Sequence, residues 1–413
     1  CEQRATIAAM PLSPTLQAKP PSGIVKLLLV GAGHSHLQVL ARLAQDRPTH
    51  LDVTVLTPYP YLTYSAMAPG LVAGHYSADE CQIRLSPWLK RSGARVVQGR
   101  AVHIDAAGRR VHHRSRPQDP EPAPLSYDLL SLDLGCGYNP DWLDQHLPGA
   151  RAHALPLRPV ERFVHLWQDV LALAERKALS VAVIGGGAAG CEMALALAQR
   201  LSATSHAHRL SLIAGQAGVL HHAPTGLQRR MLRRLKRQGV TVLPQSCVGV
   251  GDGEVLLDGG GRLQCDAPLL AIGGQAPAWL ADSGLALSDD GRVRVNAHQQ
   301  SVSHPEVFAA GDVCHRNDGP FAPNGVYALR AGLPLAENLI AAATGAPLRE
   351  HRPSPRSLNL LSCGAGHAIA HWGPLHAEGA WVWHWKDRID RAFMARMQLP
   401  SDSPPSTHEH SRL

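Results

Sequence analysis

Aromatic side chains are scarce in this sequence of 413 residues, 5% in all. Without a platform of them beside the basic residues, the formal net charge of +7 does not read as nucleic-acid binding. The densest basic run, LQRRMLRRLKRQG, has a simpler account: Leu227, Met231 and Leu235 recur every four residues, so solvated arginines back an apolar helix face. Also missing is any C-x-x-C pair among the 8 cysteines. That absence removes paired-thiol metal sites and fits unpaired thiols in a reducing, cytoplasmic setting. The 24 histidines fall in HSH, HAH and HH clusters without partners at ligand spacing, so no metal site is expected. Residues 1–23 contain no apolar stretch of the signal-peptide kind and read as a flexible segment. The longest apolar window, 178–198, is interrupted by three consecutive glycines and Glu192, which suits a turn better than a membrane span.

What the chain does have is glycine at informative spacings. In SVAVIGGGAAGCE, a β-branched run, Val181 to Ile184, enters a glycine turn and a helical pattern, Cys191 to Leu201, leaves it. Gly185, Gly187 and Gly190 form G-x-G-x-x-G, with Gly185 for the tight turn, Gly187 for backbone approach to a pyrophosphate and Gly190 for close packing of helix on strand. The helix start adds partial positive charge toward the phosphates. A second such unit opens the chain: Ile24 to Val30 is an apolar run, GAGHSH follows, and Leu37 to Leu43 continue as a helix. Gly31 and Gly33 fill two glycine positions, and His36 takes the third, which predicts a slightly wider gap between helix and strand. The strand LDVTVL, Leu51 to Leu56, is followed by Thr57, where an acid for a ribose hydroxyl is expected. The aromatic loop Tyr59 to Gly74 suits either the wall of a flat cofactor or core packing. SYDLLSLDLG ends in Gly135, Cys136 and Gly137, APLLAIGG ends in Gly273 and Gly274, and VFAAGDV stops at Gly311 and Asp312. Each presents backbone or carboxylate at a sheet's carboxyl edge, where ligands bind. The strand after the central motif ends in Ala214 and Gly215, with neither acid nor arginine, which leaves the choice of NADH or NADPH open.

The order GxGxxx at Gly31, GxGxxGxE at Gly185 and FAAGDV at Phe308 resembles the two-dinucleotide-binding flavoproteins over residues 24–345. That family includes pyridine nucleotide-disulfide oxidoreductases, type II NADH dehydrogenases and sulfide:quinone reductases. GAGHSH, TYSAMAPGLVAGHYS, GVYALRAGLPLAENL, LLSCGAGHAIAHWG and WVWHWKDRIDRAFM are similar to the branch found fused or adjacent to selenide, water dikinase. The resemblance implies an α/β fold of two Rossmann-like dinucleotide-binding domains, the NAD(P) domain inserted in the FAD domain, plus a small C-terminal region. The divisions expected are 24–150 and 290–345 for FAD, 151–289 for NAD(P)H, 346–400 for the C-terminal region and 401–413 for a disordered tail. The implied cofactor-binding set is Gly31, Gly33, His34, Thr57, Val102, Gly135, Gly185, Gly187, Ala188, Gly190, Glu192, Gly273, Gly311, Asp312 and Val326. Within it Gly31 and Gly33 cradle the FAD pyrophosphate, Asp312 bonds the ribityl chain and Glu192 lies near the nicotinamide.

Thr57 and His36 depart from the family pattern, and no C-x-x-x-x-C lies in the first domain, which excludes a dithiol relay. FAPNGVYALRAG replaces the glutamine-rich quinone motif of type II dehydrogenases. The expected activity is an FAD-dependent NAD(P)H oxidoreductase that passes electrons to a quinone or another small acceptor. The alternatives are a sulfur- or selenium-directed flavoenzyme using Cys136 or Cys363, and a degenerate protein that keeps FAD without turnover. From Trp381 to Met397, alternating tryptophans lead into Ile389, Phe393 and Met397 at helical spacing among basic residues. This segment serves either as a membrane-surface helix on the inner face of a membrane, as a cover for the flavin domain, or as a contact in a homodimer.

Overall fold

The computed structural model describes residues 23–399, apart from 117, 317, 319–324 and 355. The expected flexible start and the tail 401–413 therefore lie outside the described residues, Gly23 excepted. The first apolar run forms β1 (Val25–Val30), and GAGHSH turns it into α1 (His34–Asp46), one turn earlier than the apolar pattern alone marks. β2 (Leu51–Thr57) follows, then the aromatic stretch, which is folded, not a loop: Tyr61–Thr63 is a strand, Ser65–Met67 a helical turn and α2 spans Ala68–Ala73. Leu62, Tyr64, Met67, Leu71 and Val72 are all buried there, so core packing accounts for the composition. β3 (Arg95–Gln98) and β4 (Leu129–Leu132) complete this pass.

The chain then builds a second sheet. β5 (Leu155–Pro156) precedes α3 (Val160–Ala174), and β6 (Ser180–Ile184) runs through the central glycines into α4 (Ala188–Leu201). β7 (Arg209–Ile213), the arginine-rich α5 (Thr225–Arg237), β8 (Thr241–Leu243) and β9 (Ala267–Leu270) finish it, in the order β5-β9-β6-β7-β8, all parallel. Leu227, Met231 and Leu235 are the buried residues of α5, as their spacing predicts. β10 (Val307–Ala309) then returns to the first sheet beside β4, giving the parallel order β10-β4-β1-β2-β3. A sheet whose edge strand arrives only after another complete sheet is the signature of one α/β unit inserted in another.

α6 (Gly325–Thr344) lies on α1, and the contact is close because Gly332 faces it: a Cβ there would sit 2.5 Å from the Gln38 Cβ. Ser35 Oγ donates to the Ala328 carbonyl across the same seam at 2.7 Å. An antiparallel sheet, β11 (Asn359–Ser362), β12 (Ala368–Trp372) and β13 (Leu375–Gly379), leads into α7 (Ala380–Met397). The alternating tryptophans are thus helical from the start: Trp381 and Trp385 share one exposed stripe with Ile389, while Phe393 and Met397 are buried. Gly332→Val is expected to separate α1 from α6 and lower stability by ~1–3 kcal/mol, the usual cost of overpacking, read as a drop in the urea midpoint.

Candidate functional site

Strand register gathers the predicted residues of the first sheet. Val30 lies opposite both Leu56 and Leu132, and Leu132 opposite Ala309, so Gly31, Thr57, Asp133 and Ala310 leave the same carboxyl edge. Gly31 turns with φ +88, and a Cβ on it would sit 2.3 Å from the Asp133 carbonyl oxygen. Gly33 ends the turn as the residue before α1 and provides no side-chain cap. The cap comes instead from across the sheet: Asp133 Oδ2 accepts the His36 N–H at 2.8 Å, and the Ser35 N–H also points to this carboxyl. Burial pushes Asp133 up to about 7, the two backbone N–H groups opposing and the charge of Asp312 adding to the rise.

His36 stands in the place of the missing third glycine. Its Nδ1 lies 2.6 Å from the Gly31 carbonyl and its Nε2 2.8 Å from Ser131 Oγ, so the ring bridges the turn and the neighbouring strand. Burial pulls it down to about 4, which leaves a neutral ring with its proton on Nδ1, because the carbonyl only accepts. His34 begins α1 with its Nε2 buried and without a partner among the described residues, and burial brings it down to about 4 against the pull of Asp312. Asp312 Oδ2 accepts from Arg158 Nη1 at 2.9 Å, and the Cys136 thiol donates to the Asp312 carbonyl at 3.0 Å. Gly311 has φ +70, and a Cβ there would press on Asp133 Oδ1 at 2.8 Å. Thr57 is buried at the end of β2 with its hydroxyl only 3.4 Å from the backbone of Tyr59. Val102 sits on the strand Arg100–Asp105, Gly135 takes a left-handed turn with φ +64, and Val326 is the second residue of α6.

The second sheet repeats the construction. Ile184 lies opposite Ile213 and Leu270, so Gly185, Ala214 and Ala271 share an edge. Gly185 has φ +127 and would drive a Cβ to 2.5 Å from the Ala271 carbonyl, while a Cβ on Gly190 would come within 1.9 Å of the Gly185 carbonyl. Gly187 precedes Ala188 at the start of α4 and makes no side-chain cap, and the space beside Gly187 and Gly273 is open. These cradles fit the phosphates of two dinucleotides: close-approach glycines, a start of α4 without a side-chain cap, and one buried ring nitrogen, His34 Nε2, with no partner among the described residues.

Glu192, two residues beyond Gly190, points to the C-terminal sheet. Its Oε1 accepts the Ser362 N–H at 2.7 Å, and burial pushes it up to about 7 against the nearby charge of Lys386. Lys386 itself is buried on α7, 2.5 Å from Asp390 and donating to the Ala66 carbonyl at 2.7 Å. Tyr76 to Asp387 at 2.7 Å and Trp88 to the Met397 carbonyl at 2.9 Å fasten the same helix to the first unit. Cys363 ends up beside Glu192, Cys191 and Arg234, whereas Cys136 faces Arg292, Asp312 and Arg158. Burial pushes Cys136 up to about 11 and Cys363 higher still, so both are thiols at neutral pH. Asp133, Arg158 and the Lys386–Asp390 pair were not singled out from sequence. A lone acid inside the apolar run LLSLDLG was the available signal for the first.

A family profile described as pyridine nucleotide-disulphide oxidoreductase matches residues 25–338. The demethylphylloquinone reductase NdbB of Synechocystis sp. is 24% identical over 83% of this chain and 86% of its own length. Among solved structures, the sulfide:quinone oxidoreductase of Aquifex aeolicus superposes with a TM-score of 0.73 at 15% identity over 91% of each chain. NDH2 from Plasmodium falciparum, solved with NADH, gives 0.72 at 15% identity, covering 90% of this chain and 97% of that one.

Lys386→Met leaves the Asp390 and Glu192 carboxyls facing each other without their cation. It is expected to cost ~3–5 kcal/mol, and Lys386→Met with Asp390→Leu to recover most of that loss, both read from urea unfolding.

Proposed function

The chain belongs to the pyridine nucleotide-disulphide oxidoreductase family, and on that premise we propose that it is an FAD-dependent NAD(P)H:quinone oxidoreductase. Oxidoreductase activity with FAD and NADH or NADPH as cofactors follows from the family. The quinone, the domain assignments and the role of each residue are our reading. The observation that carries it is the matched pair of carboxyl-edge cradles, Gly31 against the Asp133 carbonyl and Gly185 against the Ala271 carbonyl. Residues 24–150 and 290–345 form the FAD-binding part in this reading, and 151–289 the NAD(P)H-binding part.

Bound FAD would supply hydride- and electron-transfer chemistry. The protein binds and orients. The His34 N–H at the start of α1 and the backbone N–H groups after Gly187 would meet the two pyrophosphates, and His34 Nε2, with no partner among the described residues, would be available to the first. Asp312 would accept hydrogen bonds from ribityl hydroxyls while Arg158 Nη1 holds its carboxylate in place. Glu192 sits one helical turn past the second cradle, at the nicotinamide end in this reading, held by the Ser362 N–H. Ala214 brings no carboxylate to the ribose, so nothing there repels the extra phosphate of NADPH.

A quinone is favoured over a cysteine-borne acceptor because Cys136 and Cys363 are protonated and lie in different surroundings. The relatives' names point the same way. Among the described residues no helix is long and apolar enough to cross a membrane. Trp381, Trp385 and Ile389 nonetheless form an exposed apolar stripe on α7, and we assign it to a phospholipid surface from which a lipid quinone enters. The likeness of GAGHSH and LLSCGAGHAIAHWG to the branch near selenide, water dikinase is part of the same reading.

Anaerobic titration of the purified yellow protein with NADH or NADPH is expected to bleach the flavin absorbance, and added quinone to restore it. Absence of bleaching with both nucleotides would sink the oxidoreductase reading. Trp381→Ser with Trp385→Ser should weaken binding to phospholipid vesicles by about tenfold or more per indole removed from the apolar layer, leaving turnover with a water-soluble quinone unchanged.

A further inference from the structure

Asp133 is a carboxyl in the path of an incoming diphosphate. It lies 4% exposed at the end of β4, with Oδ2 on the His36 N–H at 2.8 Å, so it already occupies the start of α1 that the first glycine turn prepares for phosphate. Cβ atoms on Gly33 and Gly311 would each lie within 2.8 Å of a carboxyl oxygen, so the same group sits between both glycines of the cradle. Asp312 is its acidic neighbour, and the cation that neutralises Asp312, Arg158, bonds the far carboxylate and not this one. An ionised Asp133, Asp312 and a diphosphate in one poorly solvated corner form an arrangement of like charges that proteins relieve by protonating a carboxyl.

We propose that Asp133 meets the FAD pyrophosphate as a neutral carboxylic acid, so that binding of the cofactor takes up one proton from solvent. The inference rests on the assignment of the first cradle to FAD. No bond other than O–H is made, and the proton comes from bulk water. The carboxyl then keeps its hydrogen bonds from the His36 and Ser35 N–H groups and gains an O–H donor.

The other titratable groups facing this corner do not take the proton in the same pH range. His36 and His34 on α1 are held neutral down to about 4, and Cys314, beyond Gly311, is pushed up to about 12 by burial. His34 is the competitor worth separating, since its ring Nε2 has no partner among the described residues, Asp312 acts on it, and an arriving phosphate raises it from below. Asp133 starts near 7 without cofactor and moves upward as the diphosphate arrives, so its linkage falls above pH 7, and that of His34 below.

The test is FAD binding to cofactor-stripped full-length protein, followed by flavin fluorescence from pH 6 to 9, with proton uptake measured in weak buffer with an indicator dye. The dissociation constant should rise by about tenfold per pH unit above pH 7, with close to one proton taken up per FAD at pH 8 and almost none at pH 6. Asp133→Asn should flatten the profile and bind more tightly than the parent at pH 9, whereas His34→Gln should keep the slope above pH 7. A flat profile with no proton uptake in the parent protein overturns the proposal even if Asp133→Asn does not fold, as does a slope that vanishes with His34→Gln. Failure to bind FAD at every pH would strike instead at the assignment of the cradle.

Discussion

Each half of this protein depends on a backbone approach so tight that no side chain fits. At Gly31 and at Gly185 the chain leaves a parallel strand and turns over the carbonyl of the neighbouring strand's end, with room for a hydrogen but not for a carbon. That contact sets the angle at which α1 and α4 depart, and so where their first N–H groups point. The two turns reach it by different means. In the second unit Gly190 lets α4 lie against the Gly185 carbonyl; in the first, His36 replaces that third glycine and bonds the equivalent Gly31 carbonyl through Nδ1. A neutral buried imidazole with both nitrogens partnered thus does by hydrogen bonding what glycine does by omission.

Acids set the electrostatics around these turns. Asp133 and Glu192 are both pushed up to about 7 by burial, one under the start of α1 and the other on α4 facing the C-terminal sheet. Buried carboxyls cost stability when charged, and each is held by backbone N–H groups, with Lys386 on α7 reaching toward Glu192. The C-terminal helix is thereby part of the interior as well as the surface. Lys386, Asp390, Phe393 and Met397 face inward, and Trp381, Trp385 and Ile389 face out, from a single helix.

Much of this was legible from local pattern. Short apolar runs entering glycine turns and leaving as helices gave the right elements at Val25–Val30 and Ser180–Ile184, because period and turn chemistry act within a few residues. The apolar face of α5 followed from spacing in the same way. Where local pattern failed, long-range packing had overruled it. The tyrosine-rich segment after Pro58 folds into short elements that pack across most of the chain, Tyr64 lying tilted against Phe393 with ring centroids 4.5 Å apart. The alternating tryptophans of WVWHW mimic a strand, but the bonds of Asp387 to Tyr76 and of Lys386 to the Ala66 carbonyl fasten the segment to the first unit as a helix.

The sequence by itself determined the two glycine turns, their order and the α/β class, since glycine conformational freedom and hydrophobic period are written residue by residue. Only the tertiary structure decided which carboxyls face which turn. The register of β4 beside β1 brings Asp133 under α1, and the insertion of an entire sheet before β10 brings Asp312 back to the same edge. The meeting of Arg158 with Asp312 and of Glu192 with Ser362 likewise comes from chain segments more than a hundred residues apart. Their charge and protonation depend on burial, which exists only once those segments have packed.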